Sequence, residues 1–320
     1  MKSSRILVWR GLCLLALLVA LPALGQQRVS LILGTATTGG GFEVYGESLA
    51  WTIAAVDPLL VVEPRKTAGS LENVALLAAG EIDLALVQGE AAHEAFTANA
   101  GTDSALRIVA AMYPTAGMFV VRADSSYRSI DDLRGQAIVF GARSSGLVTL
   151  ARYVLDGIGL DMDRDFVPIL LDRAGDGPAL LRDGRVAALW GGGSGWPVFV
   201  AAMAAPGGGR FIAPNRDQIA HIRARHPFLQ AQTLPPDTFS GQTAAIESVG
   251  SWSFILARQA LPDDLVYRFC RALHLGHVQF AERLPQARET TLENTVAALP
   301  RREWLHPGAR RFLEESGALR

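Results

Sequence analysis

The chain writes one short pattern twice. Gly34-Thr-Ala-Thr-Thr-Gly39 returns as Gly141-Ala-Arg-Ser-Ser-Gly146, a shared G-x-x-[ST]-[ST]-G, each time after an apolar run (VSLIL, QAIVF) and before a helix-like stretch. Downstream, LLAAGEIDLALVQ (Leu76 to Gln88) is echoed by LLRDGRVAALWGG (Leu180 to Gly192), where a helical pattern ends on Gly and feeds a strand. The offsets, 107 residues from Gly34 to Gly141 and 104 from Leu76 to Leu180, nearly agree. A repeat whose flanks recur in matching order constrains the chain to two similar α/β units, each offering a helix N-terminus and a strand-end loop. Ligands of open α/β sheets sit outside the carboxyl ends of the strands. Two such edges facing each other make a central cleft.

The rest of the pattern agrees with an α/β class. From Val29 onward, short apolar runs alternate with longer helical ones, the mark of a largely parallel sheet flanked by helices. VSLIL, LLVVEP, IDLALVQ, LRIVAAM and MFVVRA are expected strands; GESLAWTIAAV and SLENVALLAAG are expected helices, the second with Ser70 as N-cap and Gly80 closing it. After Arg210, IAHIRARHPFLQAQTLPPDTFSGQ reads as a helix and a Pro-bearing loop, WSFILAR as a strand, and LPDDLVYRFCRALHLGHVQFAERL as one amphipathic helix started by Pro262 and Asp263. These last elements are too few for a third domain. The expectation is a first lobe of residues 26–121 and 254–320 interrupted by a second lobe at 122–253, with MFVVRA crossing out and WSFILAR crossing back.

At 320 residues and 49% hydrophobic, the chain can supply a core to each lobe. Its 30 basic and 31 acidic residues are mixed along the chain, which excludes the electrostatic footprint of a nucleic-acid or membrane-surface binder. The first residues differ: Lys2, Arg5 and Arg10 precede GLCLLALLVALPALG, a length that suits a signal-peptide core better than a membrane span. Ala23 and Gly25 fit a small-residue cleavage site, so residues 1–25 are expected to be an export signal and the mature protein periplasmic; an uncleaved anchor is the alternative. Cleavage removes Cys13 and leaves Cys270, so an internal disulfide is excluded.

The chemistry of the repeated loops is that of anion capture. N–H groups at a helix start lack intrahelical partners and carry the positive end of the macrodipole. No Lys follows the glycines of GTATTGGGFEVYG, which excludes a P-loop, and the G-x-G-x-x-G spacing of a dinucleotide site is absent. Candidate ligand-binding residues are Thr37, Thr38, Gly40, Gly41, Phe42 and Glu43 from the first loop. Thr67, Gly69 and Ser70 belong to a second helix start, and Gln88 ends a strand. Arg143, Ser144, Ser145 and Gly146 come from the repeated loop, and Gly192 and Ser194 from the echo of Gln88. Glu43 has two readings, a selector for ammonium or hydroxyl groups beside a carboxylate, or a first-turn residue serving its own helix dipole. Catalytic patterns are weak. Ser194 in GGSGW lacks the second Gly of a nucleophile elbow, His274 and His277 have no third metal ligand, and Glu43 with Glu90 have no nucleophile or metal beside them. Binding without bond chemistry and without a cofactor is the expectation.

The motifs GTATTGGGFEVYG, T-A-G-S-L-E-N (Thr67 to Asn73), LLAAGEIDLALVQ, MYPTAGMFVVRADSSYRSIDDLRGQAIVFGARSSG, and late GQ (Gly241, Gln242) with SVGSWSFILARQALPDDLVYR occur in an order that resembles the TAXI-type solute receptors of TRAP transporters. The resemblance implies a two-lobed type II periplasmic-binding-protein-like fold with two crossover strands. It also implies a small organic carboxylate ligand, amino-acid-like or dicarboxylate, and integral-membrane TRAP permease subunits as partners. A receptor of this fold serving another permease or a membrane sensor is a neighbouring reading, and a carboxylate-acting enzyme a further one. The chain departs from the family at Gly41, Phe42 and Glu43, where a small hydroxyl and two aromatics are usual. It departs again at Arg143-Ser144-Ser145-Gly146-Leu147, where a Pro-Gly-Ser-Gly-Thr-like loop is usual. An added anion and an added cation alter the electrostatics of those loops.

Overall fold

The structure is a computed structural model that describes residues 28–98 and 105–320; the expected export signal at 1–25 lies outside them. Among the described residues, no helix is long and apolar enough to cross a membrane.

The strands are β1 (Val29–Gly34), β2 (Leu60–Arg65), β3 (Leu84–Val87), β4 (Leu106–Arg122), β5 (Ala137–Ala142), β6 (Val167–Leu171), β7 (Ala188–Gly192), β8 (Gly209–Ile212), β9 (Gln230–Leu234) and β10 (Ile246–Arg258). Four helices bear on the site: α1 (Gly41–Val56), α2 (Ser70–Ala79), α3 (Gly89–Ala98) and α4 (Gly146–Gly157). The sheet order is β2-β1-β3-β10-β4-β7-β5-β6, with β8 on β4 and β9 on β10. β1 pairs parallel with β2 and β3, and β5 parallel with β6 and β7, so each copy of the repeat starts a small parallel sheet. The long strands β4 and β10 run antiparallel between the two halves and are the crossover pair.

Each half has its own apolar core. One is built from residues between Leu31 and Tyr113 and between Phe254 and Leu319, the other from residues between Ala116 and Val249. The change of core falls inside both long strands, so the outer half of β4, residues 117–121, packs with the second core. That lies ahead of the boundary expected at 121, because an extended strand passes from one core to the other without a break that composition would reveal.

Local details also differ from expectation. LRIVAAM and MFVVRA are one strand, since Pro114 stands opposite Trp252 beside a register shift, where a missing N–H is tolerated. The expected single helix after Pro262 is two, Asp263–Leu275 and His277–Arg283, because Gly276 lies against α1 so closely that a Cβ there would meet Thr52 Cγ2 at 2.5 Å. QAQTL, expected as loop, is β9; it extends by pairing with Ile246–Gly250, a long-range partner that no local pattern discloses. The N-cap of α2 is Gly69, not Ser70: the Gly69 φ of 122° is open to glycine, and Ser70 becomes the first helical residue.

Candidate functional site

Three helix starts converge between the cores. β1 ends in a loop closed by the Gly40 N–H donating to Thr37 O (3.0 Å), and α1 begins at Gly41. α2 begins at Ser70, whose Oγ accepts from the Gln88 N–H at the end of β3 (3.1 Å). In the second half Ser145 caps α4, its Oγ accepting from the Leu147 N–H (3.2 Å). The lobes touch across this space: the Gly175 N–H donates to Thr38 O, the Ala174 N–H to Thr37 Oγ1, and the Leu71 N–H to Ser144 O, each at 3.2 Å. The lobes therefore stand closed.

A cavity of about 50 Å³ lies between them, lined by Ala36, Thr37, Gly40, Gly41, Phe42, Ala68, Gly69, Ser70, Gln88, Tyr113, Thr115, Ala142, Ser145, Leu147, Ala174, Gly192 and Trp196. None of these residues carries a charge. Tyr113 and Trp196 form aromatic walls, with Phe42 set edge-on to Tyr113 at 6.4 Å between ring centroids. Burial pushes the Tyr113 hydroxyl well above its ordinary pKa, so it stays protonated as a donor. The Gln88 side chain is buried and its Nε2 has no hydrogen-bond partner.

Of the residues expected at the site, Thr37, Gly40, Gly41, Phe42, Gly69, Ser70, Gln88, Ser145 and Gly192 line this cavity. The others lie outside its lining. Thr38 Oγ1 accepts from Lys66 Nζ (3.3 Å), and the Thr67 hydroxyl donates to Thr35 O (3.1 Å), bracing the loop from behind. Glu43 forms an ion pair with Lys66 at 2.7 Å and accepts from the Gly39 N–H at 2.8 Å. Partial burial opposes ionisation of Glu43, but the Lys66 ammonium and the Gly39 N–H outweigh it and hold the carboxyl below its usual range. Arg143 lies in a separate outer hollow beside Glu94 and Tyr153. Ser144 contributes its backbone carbonyl, Gly146 packs against Gln88 and Ser70, and Ser194 is half-buried beyond the lining. Glu90 is buried and Glu43 faces Lys66, and neither belongs to the lining, so the two carboxyls do not share the cavity.

Tyr113, Thr115 and Trp196 are wall residues that sequence reasoning missed. Tyr113 and Thr115 alternate on β4, a signal lost when that strand is taken to stop at Met112. Trp196 follows the strand-end glycines, Ser194 and Gly195, a position that marks a loop side chain beside a strand terminus.

Ser144 and Ser145 should separate cleanly on mutation. Ser145→Ala removes a helix cap and is expected to cost about 1 kcal/mol. Ser144→Ala keeps the carbonyl that meets Leu71 and is expected to stay within about 0.5 kcal/mol of the wild type. Urea unfolding measures both, and equal losses would contradict these assignments.

The comparisons with known proteins accord with this architecture. The model of the NMT1-like family matches residues 33–317. The chain belongs to the NMT1-like family. Among solved structures, this NMT1-like chain is similar to the alkanesulfonate-binding protein SsuA from Xanthomonas axonopodis pv. citri bound to MOPS, at 19% identity, covering 90% of this chain and 84% of that one, with a TM-score of 0.50. A protein from Bordetella bronchiseptica RB50 matches at 15% identity, 90% and 98% coverage and a TM-score of 0.55. A TctC solute binding protein from Polaromonas matches at 15% identity, 83% and 88% coverage and a TM-score of 0.47. The fold of this NMT1-like chain is the two-lobed α/β fold of periplasmic binding proteins.

Proposed function

We propose that the protein is an exported solute receptor, freed of residues 1–25, that closes on a small organic carboxylate and delivers it to TRAP-type permease subunits without bond chemistry. The two cores move against each other on β4 and β10, and the ligand sits where the helix starts meet. The observation that carries this reading is the convergence of α1, α2 and α4, by their N-termini, on a cavity lined without a cation. N–H groups and helix dipoles then stabilise the anion, while Phe42, Tyr113 and Trp196 select its apolar part. Hydrogen bonds to a charged group contribute about 1.5 to 3 kcal/mol each, so a few of them reach the roughly −8 kcal/mol of a micromolar complex after ordering costs. Family membership supports a solute receptor in general; the carboxylate and the TRAP partner rest on the resemblance to TAXI-type receptors. SsuA is named for alkanesulfonates, and the same N–H geometry serves a sulfonate.

The test is titration of L-alanine, pyruvate, succinate and ethanesulfonate, followed by Trp emission and thermal midpoint, with mass spectrometry of any solute that co-purifies. A carboxylate should raise the midpoint by several degrees, since ligand at a hundred times its Kd stabilises by about 2.7 kcal/mol. A response to ethanesulfonate alone would replace carboxylate by sulfonate. A protein that purifies without solute and responds to no anion would overturn the reading.

A further inference from the structure

Adjoining the cavity through Gln88 is a polar cluster that the capture reading does not use. Glu90, in the first turn of α3, is wholly buried, and neither of its carboxyl oxygens has a hydrogen bond. Gln88 Nε2 and Ser251 Oγ, both buried, also lack partners. These groups are neighbours: Gln88 and Glu90 flank Gly89 at the junction of β3 and α3, a Cβ on Gly89 would collide with Ser251 Oγ, and Ser251 and Gln88 both act on the Glu90 carboxyl. Gln88 belongs to both places, because its side chain also lines the ligand cavity.

A primary amide has a donor end and an acceptor end of nearly equal size, and a half-turn of its terminal torsion exchanges them. A carboxylate only accepts, so it draws the NH₂ end of Gln88 and leaves the carbonyl facing the cavity. A protonated carboxyl donates, so it draws the carbonyl and turns the NH₂ toward the cavity. We propose that the proton on Glu90 selects which end of the Gln88 amide faces the ligand, making the cavity a donor site for an anion when Glu90 is protonated. Glu90 is thus a positioning residue that acts through Gln88. The proposal rests on the reading of this cavity as the anion site.

The surroundings make the proton available near neutrality. Burial pushes the Glu90 carboxyl up to about 7; Ser251, the backbone N–H of Glu90 and Gln88 lie near enough to oppose it without meeting hydrogen-bond geometry, and Glu94 on the same helix adds to the rise. Charged groups on the elements packed against α3 have partners of their own: on α4, Arg152 pairs with Asp163 and Asp156 with Arg225. His93 on α3 is held below its usual range by burial, and Tyr153 on α4 donates to Glu94 Oε1 at 3.0 Å. On α2, Glu72 accepts from the Ala68 N–H. On β10, Glu247 and Arg258 stand at the two ends, engaged by Arg216 and Asp83. The sign follows: a bound anion favours the neutral carboxyl and raises its pKa further. Below about pH 7 anion affinity is level, and above it affinity falls by up to about tenfold per pH unit as one proton is taken up on binding.

The test is an NMR titration of protein labelled at Glu side-chain carboxyls and Gln side-chain amides, with residues 88 and 90 assigned through the backbone. The Gln88 NH₂ signals should move with the Glu90 midpoint near neutrality, and in Glu90→Gln they should not move. Pyruvate calorimetry at about pH 6 and about pH 8, in two buffers of different ionisation heat, should show roughly tenfold weaker binding and one proton taken up at the higher pH. Glu90→Gln should bind equally at both. Glu90 titrating in the ordinary carboxylate range, Gln88 signals that ignore it, or a wild-type pH slope in Glu90→Gln would each overturn the proposal. If Glu90→Gln does not fold, the wild-type titration alone decides. If Gln88 follows Glu90 but no anion binds either protein, the receptor reading fails while the link between the two side chains stands.

Discussion

Gly250→Ala is expected to lower stability by roughly 3 kcal/mol or more, beyond the usual range for a single added methyl group. Gly250 lies in β10 with Ala116 of β4 on one side and Gln230 of β9 on the other. A Cβ at this position would collide with the Thr115 carbonyl oxygen and come within 2.7 Å of its carbon. Both are backbone atoms, so no side-chain rotation relieves the contact. The strands would have to part, and they would part where the chain changes from one core to the other and where Thr115 lines the cavity. A fall in melting temperature of roughly 5 to 10 °C is expected. Gly135→Ala is the comparison: its φ is 72°, but nothing lies within 4 Å of the added atom, so the cost is about 1 kcal/mol from backbone conformation alone. Calorimetry on the two variants checks the difference. Equal midpoints would mean that β4 and β10 do not pair in the register described.

The reason such a register escapes local reading is physical. The repeat at Gly34 and Gly141 is a backbone pattern, and hydroxyls, glycines and apolar runs at fixed spacing specify a strand, a turn and a helix start with little help from the rest of the chain. That is why β1, α1, β5 and α4 were legible, and with them the facing edges of the cleft. β8 and β9 were not, because each is a short strand that extends only by pairing with β4 or β10. The same division runs through the site. Thr37, Gly41 and Ser145 were legible as members of helix starts. Glu43 was open to two readings because its Lys66 partner arrives at the end of β2, outside any local window. Ser144 joins the lobes through its carbonyl, which side-chain identity cannot report. Trp196 and Tyr113 reach the cavity from elements placed there by tertiary packing, where a bulky aromatic reads equally well as core.

Gly39→Ala is expected to weaken solute binding by roughly 30- to 150-fold, equivalent to about 2 to 3 kcal/mol of lost closure. Gly39 has a φ of 81°, and an added Cβ would lie 2.6 Å from Gly175 Cα and 2.7 Å from Gly175 N, with Ala174 C as its remaining close neighbour. All of these atoms belong to the opposite lobe. With the lobes apart the methyl group meets nothing, so the folded protein bears only the left-handed backbone cost of about 1 kcal/mol. With the lobes together it is a wedge at the point where the Gly175 N–H meets Thr38 O. Apparent affinity falls with the fraction of molecules able to close, which is why a contact outside the cavity carries so large an effect on binding. Gly175→Ala separates a wedge from the mere loss of a glycine: its Cβ would lie 3.4 Å from Gly39 Cα and 3.5 Å from Thr38 O, ordinary contact distances, and it should bind nearly as the wild type does. Small-angle scattering with the solute identified by titration should show compaction in the wild type and in Gly175→Ala, and little in Gly39→Ala. If Gly39→Ala compacts fully and keeps wild-type affinity, the bound state does not bring Gly39 against Gly175, and the first repeated loop does not clamp against the Ala174–Asp176 turn of the opposite lobe.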